Sequence, residues 1–317
     1  MKQSSVCLSI DIRLTFMILN LKQEYTNSQR LFAWRQARLR EGGMLVDLEW
    51  LLNILCDINW NQVLLSQLKV FSLSRPLKDL SKIWQCHCLK KIPLQYLVGI
   101  CPWRDLYLKS DSGVLIPRQE TELLVDLALH CVSHSRHKLF VGGELPTYRW
   151  ADLGTGSGAI AVALSRALPS WLGHATDYTN EAFYQSERNI KQLAFNKKVV
   201  LTQGDWFLPL HPWWGQFNLI LANPPYIPSK VVNSLETNIL NNEPRLSLDG
   251  GHDGLKSIRI LVKEAPRILI TGGWILIEHH HDQNACIMQL MIKAGLSNVQ
   301  WARDLDGKLR FAIAQKV

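Results

Sequence analysis

The sequence predicts an α/β protein: a doubly wound parallel sheet with helices on both faces, preceded by a small all-helical domain and a β-hairpin linker. Three observations carry this. Short apolar runs alternate with amphipathic segments from Tyr148 to the C terminus, the rhythm of successive βα units. A glycine-rich stretch, DLGTGSG from Asp152, sits where the first run gives way to the first amphipathic segment. Between about Ser28 and Leu89, by contrast, apolar positions recur at helical spacing and strand signals are weak.

From about Ser28 to Leu89 the helical period shows in Leu48, Leu51, Leu52 and Leu55, then in Leu77, Leu80, Ile83 and Trp84. Asp47 is a candidate N-cap, and Ser74-Arg75-Pro76 marks a second helix start. Residues 1–92 are read as this helical domain. Residues 93–117 change texture to aromatic and β-branched residues with turn residues at Asp111-Ser112-Gly113, which predicts the hairpin linker. A helix follows over Glu120–Val132, then a polar loop over 133–147 with Gly142-Gly143.

Residues 118–317 form the main domain. Its expected order is a strand at Tyr148–Leu153, a helix at Ser157–Leu168, a strand at Gly173–Asp177 and a helix at Asn180–Leu193. Strands near 198–203 and 217–222 come next, then a helix near 254–270 and a strand at Trp274–Glu278. A helix at 283–294 and strands near 297–303 and 308–315 close the chain. In such sheets ligands bind at the carboxyl ends of the strands.

Composition narrows the class. With 317 residues, 47% hydrophobic and 20% charged, the chain can bury a substantial core. The net charge of +8 favours approach to polyanionic, RNA-rich machinery, but no run of five basic residues marks a duplex reader, and no stable nucleic-acid binding is expected. Seven dispersed cysteines indicate a reducing, cytoplasmic setting; the Cys86-x-Cys88 pair lacks a second pair at metal-ligand spacing. Asp11 and Arg13 interrupt the apolar residues of segment 1–21, and no stretch reaches the ~18 apolar residues of a membrane span. Met17 offers an alternative start that would leave residues 1–16 as a disordered tail.

Glycines at 154, 156 and 158 allow a sharp strand-to-helix turn and close approach of backbone to ligand; no P-loop lysine follows, which disfavours a polyphosphate cradle. Asp177 ends the second strand, where a carboxylate accepts hydrogen bonds from ribose hydroxyls. Asp205 and Trp206 end the third, an acceptor and an aromatic face suited to an adenine amino group and ring. A nucleoside without phosphate fits this set, and S-adenosylmethionine is one; a nicotinamide dinucleotide is the rival. NPPY, residues 223–226, ends the fourth strand. A tight turn explains it without function. Methyl transfer to a planar NH2, of an amide or a nucleobase, gives it a role: Asn223 Oδ1 and the Pro224 carbonyl accept the two hydrogens, Pro224 and Pro225 fix the backbone, and Tyr226 packs on the planar group or places π density near a sulfonium. Asn223 removes no proton at neutral pH, so no general base is assigned.

From Pro93 onward the chain resembles the HemK-type peptide chain release factor N5-glutamine methyltransferases. PLQYLVG at 93, VLIPRQETELLV at 114, DLGTGSGAIA at 152, GDWF at 204, NPPYI at 223, EPRLSLDGGHDGL at 243 and the closing DLDGKLRFAIA are similar to that family's motifs and occur in its order. The resemblance implies a class I, Rossmann-like sheet of seven strands and S-adenosylmethionine as cofactor. It also implies that the acceptor is the glutamine of the Gly-Gly-Gln loop in class 1 release factors, with the helical domain as docking surface. By the same resemblance Gly154, Thr155, Gly156, Ser157, Gly158, Asp177, Trp206 and Asn223 contact the cofactor, and Asn223 to Tyr226 hold the glutamine. NPPY is shared with enzymes acting on nucleobase amines; IPRQETE and EPRLSLDGG favour the release factor over a ribosomal-protein glutamine. The chain departs from the pattern at EHHHDQ from Glu278, where a glycine position is lost, and at Trp103 and Asp105, where Phe and Gly are usual. No metal is expected: consecutive residues on a strand alternate faces, so His279, His280 and His281 are read as a solvated strand end.

Overall fold

The computed structural model describes residues 24–65, 70–134, 147–194 and 198–317. The segment through residue 21 with its alternative start Met17, and the Gly142-Gly143 loop, lie outside the described residues. Two compact units divide between Gly99 and Ile100. Residues 93–117 therefore do not form a unit of their own: the short helix Leu94–Val98 falls in the first and the hairpin in the second.

In the first unit, helices Ser28–Leu39, Leu45–Cys56, Trp60–Leu65 and Leu77–Lys90 enclose a core of Leu31, Leu48, Leu51, Leu52, Leu80, Ile83 and Trp84. The period-3.6 pattern thus identifies the buried faces. Asp47 is not a cap: Met44 holds that position, and Asp47 lies in the first turn, where its charge suits the helix dipole. The unit is not entirely helical, because β1 (Glu24–Asn27) pairs antiparallel with β2 (Val70–Leu73). Four-residue strands are too short to show an alternation in sequence.

The second unit opens with β3 (Ile100–Trp103) and β4 (Leu106–Lys109), an antiparallel hairpin that turns at Arg104-Asp105, not at Asp111-Ser112-Gly113. Arg104 takes φ 53°, a conformation glycine usually supplies. Its backbone N–H donates to Glu122 Oε1 and its guanidinium to the Glu122 carbonyl and Asp126, so helix Thr121–His134 pins the turn. Buried Asn189 holds β4 from the other side, accepting from the Lys109 N–H and donating to its carbonyl.

The seven-stranded sheet has the order β10-β11-β9-β8-β5-β6-β7. Its members are β5 (Arg149–Leu153), β6 (Leu172–Asp177), β7 (Val199–Gln203), β8 (Phe217–Ala222), β9 (Leu269–Glu278), β10 (Leu296–Arg303) and β11 (Leu309–Lys316). The five strands from β9 to β7 are parallel; β11 is antiparallel to both β9 and β10. Alternation divides each central strand between two cores. Trp150, Leu219, Leu221 and Leu276 face helices Thr121–His134 and Ala159–Ala167, whereas Ala151, Leu153, Ile220, Ala222, Ile275 and Ile277 face Lys256–Ile268 and Asn284–Lys293. Both faces being covered, these strands read as continuous apolar runs. Strand order reverses between β5 and β8, so the carboxyl ends there splay apart and leave a crevice.

Candidate active site

A cavity of about 420 Å3 occupies that crevice, within the size range of small-molecule sites. Each of the four predicted strand ends reaches its wall: Gly154 and Gly156 after β5, Asp177 at the end of β6, Asp205 and Trp206 after β7, and Asn223 and Pro225 after β8.

Gly154 adopts φ +68°, and a Cβ there would lie 3.2 Å from the Trp206 ring, so the glycine is what lets the indole close on the turn. Trp206 is itself held at φ 43°, its carbonyl accepting from the Thr176 hydroxyl. The Asp177 carboxylate is oriented by the Gly156 N–H at 2.9 Å on Oδ2 and by the Thr179 N–H and hydroxyl on Oδ1. Thr155, Ser157 and Gly158 do not line the cavity; they build the turn. Thr155 donates to Asp152 through its hydroxyl and to the Thr176 carbonyl through its N–H, the Ser157 carbonyl accepts from Asn189, and Gly158 at φ +82° packs on Ser186. Asp152 is fully buried, with Oδ2 bonded to Thr155 and Ala161 and Oδ1 without a partner among the described residues. Burial pushes its carboxyl up to about 7.

A second cavity of about 70 Å3 adjoins the first and is lined by Leu115, Arg118, Asn223, Pro224, Tyr226, Ile227, Ser247 and Leu248. Asn223, Leu115 and Ser247 border both. The turn is braced from behind by the DGGHDG loop: Ile227 exchanges backbone bonds with Leu248 and Gly250, and a Cβ on Gly254 would strike the Tyr226 carbonyl at 2.2 Å. The Gln283 amide donates to that same carbonyl. The Pro224 carbonyl and Asn223 Oδ1 accept no hydrogen bond among the described residues. Arg118 pairs with the buried Glu243 carboxylate, whose pKa is nonetheless raised because desolvation outweighs the ion pair.

Two residues that sequence reasoning did not single out for the site stand behind Asn223. Its Nδ2 donates to Thr121 Oγ1 at 3.0 Å, and Thr121 donates to Glu278 Oε2 at 2.6 Å; Tyr226 donates to Glu278 Oε1 at 3.3 Å. Glu278 ends β9 on the ligand edge, so the rule that picks out Asp177 and Asp205 also reaches it. Burial raises its carboxyl to about 7, and burial beside that carboxylate raises the Tyr226 phenol. The histidines after it are not uniformly solvated: His279 is fully buried, its Nδ1 against the His280 carbonyl, while His281 is exposed. Among the described residues no group of three His, Cys, Asp or Glu side chains can hold a metal ion, and no helix is long and apolar enough to cross a membrane.

The Methyltransferase small domain family model matches residues 138–252. A release factor glutamine methyltransferase of Prochlorococcus marinus is 46% identical over 92% of this chain and 98% of its own length. Another, of Thermosynechococcus vestitus, is 40% identical over 77% of this chain and 81% of its own. The hMettl16 catalytic domain, solved in complex with a MAT2A 3'UTR hairpin, superposes with a TM-score of 0.51 at 15% identity over 74% of this chain and 81% of that one, which is a likeness of fold. With a fold of this kind, a cavity at the strand reversal and near-full-length similarity to these relatives, the chain belongs to the release factor glutamine methyltransferase family.

Proposed function

We propose that the protein transfers a methyl group from S-adenosylmethionine to the N5 side-chain amide of the glutamine in the Gly-Gly-Gln motif of class 1 release factors. The observation that carries this reading is that Asn223 borders both cavities, one sized for a nucleoside and one for a small planar group. The cofactor fits the larger. Asp177 presents an oriented carboxylate to a ribose, Trp206 and Asp205 offer a face and an acceptor to an adenine, and the glycine turn leaves room that side chains would fill.

When bound, S-adenosylmethionine supplies an electrophilic methyl carbon on a sulfonium. The chain's own part is orientation. Asn223 Oδ1 and the Pro224 carbonyl take the two amide hydrogens, which turns the nitrogen lone pair toward the larger cavity. Holding two reactants in line contributes about 7 to 11 kcal/mol to lowering the barrier. The amide nitrogen so held would accept the methyl that the sulfonium supplies, the thioether leaving, and the proton of the methylated nitrogen would pass to solvent. Glu278 lines neither cavity and is no base for this step. Docking of the release factor on the N-terminal unit belongs to the same reading and is supported by the exposed apolar side chains Met44, Val46, Leu64 and Leu65. A cytoplasmic location follows from such a substrate.

The test is to incubate the protein with methyl-labelled S-adenosylmethionine and a class 1 release factor, beside the release factor lacking the Gly-Gly-Gln glutamine, with RNA and DNA as controls. Label is expected on the intact release factor alone; label on nucleic acid alone would refute the proposal. Asn223→Ala is expected to cut turnover by roughly 10²- to 10³-fold, the scale for one lost transition-state contact, with cofactor binding still measurable. Near-normal turnover in that variant would show that Asn223 does not hold the substrate amide.

A further inference from the structure

The chain of bonds behind the clamp has a direction. Thr121 carries one hydroxyl hydrogen, and Thr121 and Glu278 are 4% and 1% exposed, out of reach of bulk water. With Glu278 ionised, that hydrogen goes to Oε2, and the hydroxyl oxygen can then only accept from Asn223. The Asn223 NH2 must therefore point at Thr121, and Oδ1 must point into the cavities. With Glu278 protonated on Oε2, every bond reverses: Glu278 donates to Thr121, Thr121 donates to Asn223, and the amide turns its NH2 toward the incoming substrate. Donor then faces donor.

We infer that Thr121 and Glu278 are positioning residues that set which end of the Asn223 amide faces the substrate, and that ionised Glu278 is the productive state. The inference rests on the reading of Asn223 as acceptor for the substrate amide. The groups facing Glu278 come from three places: Glu120 and Thr121 just before and at the start of helix Thr121–His134, Tyr226 in the turn after β8, and Arg310 on β11, while His279 follows it along the chain. Burial, and after it Glu120, oppose the ionised form, while the Thr121 hydrogen bond, the Arg310 charge and the Tyr226 hydrogen bond favour it, and the balance leaves the carboxyl titrating at about 7. His279 is itself held toward its neutral form by burial.

The experiment uses the full-length protein, 15N-labelled, with the Asn223 side-chain NH2 resonances identified by their loss in Asn223→Ala. On titration from acid to alkaline pH these resonances are expected to move with a midpoint near 7 in the wild type and in Thr121→Ser, and to stay still in Thr121→Val and in Glu278→Gln. Turnover on the release factor should show an acid limb at the same midpoint in the wild type and Thr121→Ser. Thr121→Val should lose about tenfold in kcat, as for one hydrogen bond, with the acid limb gone and cofactor affinity unchanged. A wild-type Asn223 signal that does not titrate, a titration surviving in Thr121→Val, or a Thr121→Val enzyme with wild-type kcat and pH profile would each overturn the inference. The spectra need neither cofactor nor release factor, so they judge the orientation of Asn223 by themselves; absence of methyl transfer by the wild type would instead overturn the proposed function.

Discussion

Replacing Gly154 with alanine probes the contact that shapes the cofactor wall. Gly154 sits at φ +68°, where an L side chain costs about 1 to 2 kcal/mol. The added Cβ would lie 3.2 Å from Trp206 Cζ3 and 3.5 Å from Cη2, so the ring must retreat by a few tenths of an ångström. It has little freedom to do so, because Trp206 is already at φ 43° with its carbonyl tied to Thr176. For a unit of this size the backbone cost alone lowers the melting temperature by roughly 2 to 8 °C. Displacement of the indole adds a loss of cofactor affinity of about tenfold, or ~1.4 kcal/mol. Calorimetric titration with S-adenosylmethionine and thermal unfolding read the two effects separately. Trp206→Leu combined with Gly154→Ala should recover part of the stability, since the clash partner is gone, and the cycle isolates the coupling. A Gly154→Ala protein that binds within twofold of wild type and melts within about 1 °C would refute the argument from the close approach.

Two further predictions concern the core beneath the site. The Asp152 carboxyl moves from its ordinary 3.8 to about 7 on burial, so between those values the folded state holds a proton that the unfolded chain has released. Stability therefore falls as pH rises through that window, by roughly 4 kcal/mol at most, and Asp152→Asn should flatten the dependence in urea unfolding at pH 5.5 and pH 8; an unchanged slope would contradict this. In Gly173→Ala the new Cβ would stand 2.1 Å from the Trp150 ring, which is fully buried between helix and sheet, so a loss of at least ~1 to 3 kcal/mol is expected, and an unshifted melting curve would show that the strand can yield.

Much of the sheet was legible because its strands are buried on both faces and its helices are amphipathic: those two patterns differ over windows of five to ten residues. The site was legible where one rule applied, a polar or glycine residue ending a strand on the carboxyl edge. That rule reaches Gly154, Asp177, Asp205, Trp206 and Asn223, all of which line one cavity. It applies equally to Glu278, but the three histidines that follow carry a competing metal-ligand signal. Thr121 carries no such signal: a threonine at a helix start reads as a cap, and only the folded chain brings it beside Asn223, 102 positions away. The β1–β2 ribbon was hidden by its brevity. The hairpin turn was hidden because Arg104, an unfavourable residue for its φ, is held there by Glu122 and Asp126, contacts that exist only once helix Thr121–His134 has formed.

The carbonyls along the NPPYI turn are unequally provided for: Tyr226 is served by Gln283 and Ile227 by Gly250, while the Pro224 carbonyl and Asn223 Oδ1 have no donor among the described residues. On the proposed pose this makes the site count hydrogens. An unmethylated amide brings two, and both acceptors are satisfied; a monomethylated one brings a single hydrogen and must leave an acceptor stranded or turn its methyl into the wall. On that pose the same two atoms that capture the substrate disfavour its product.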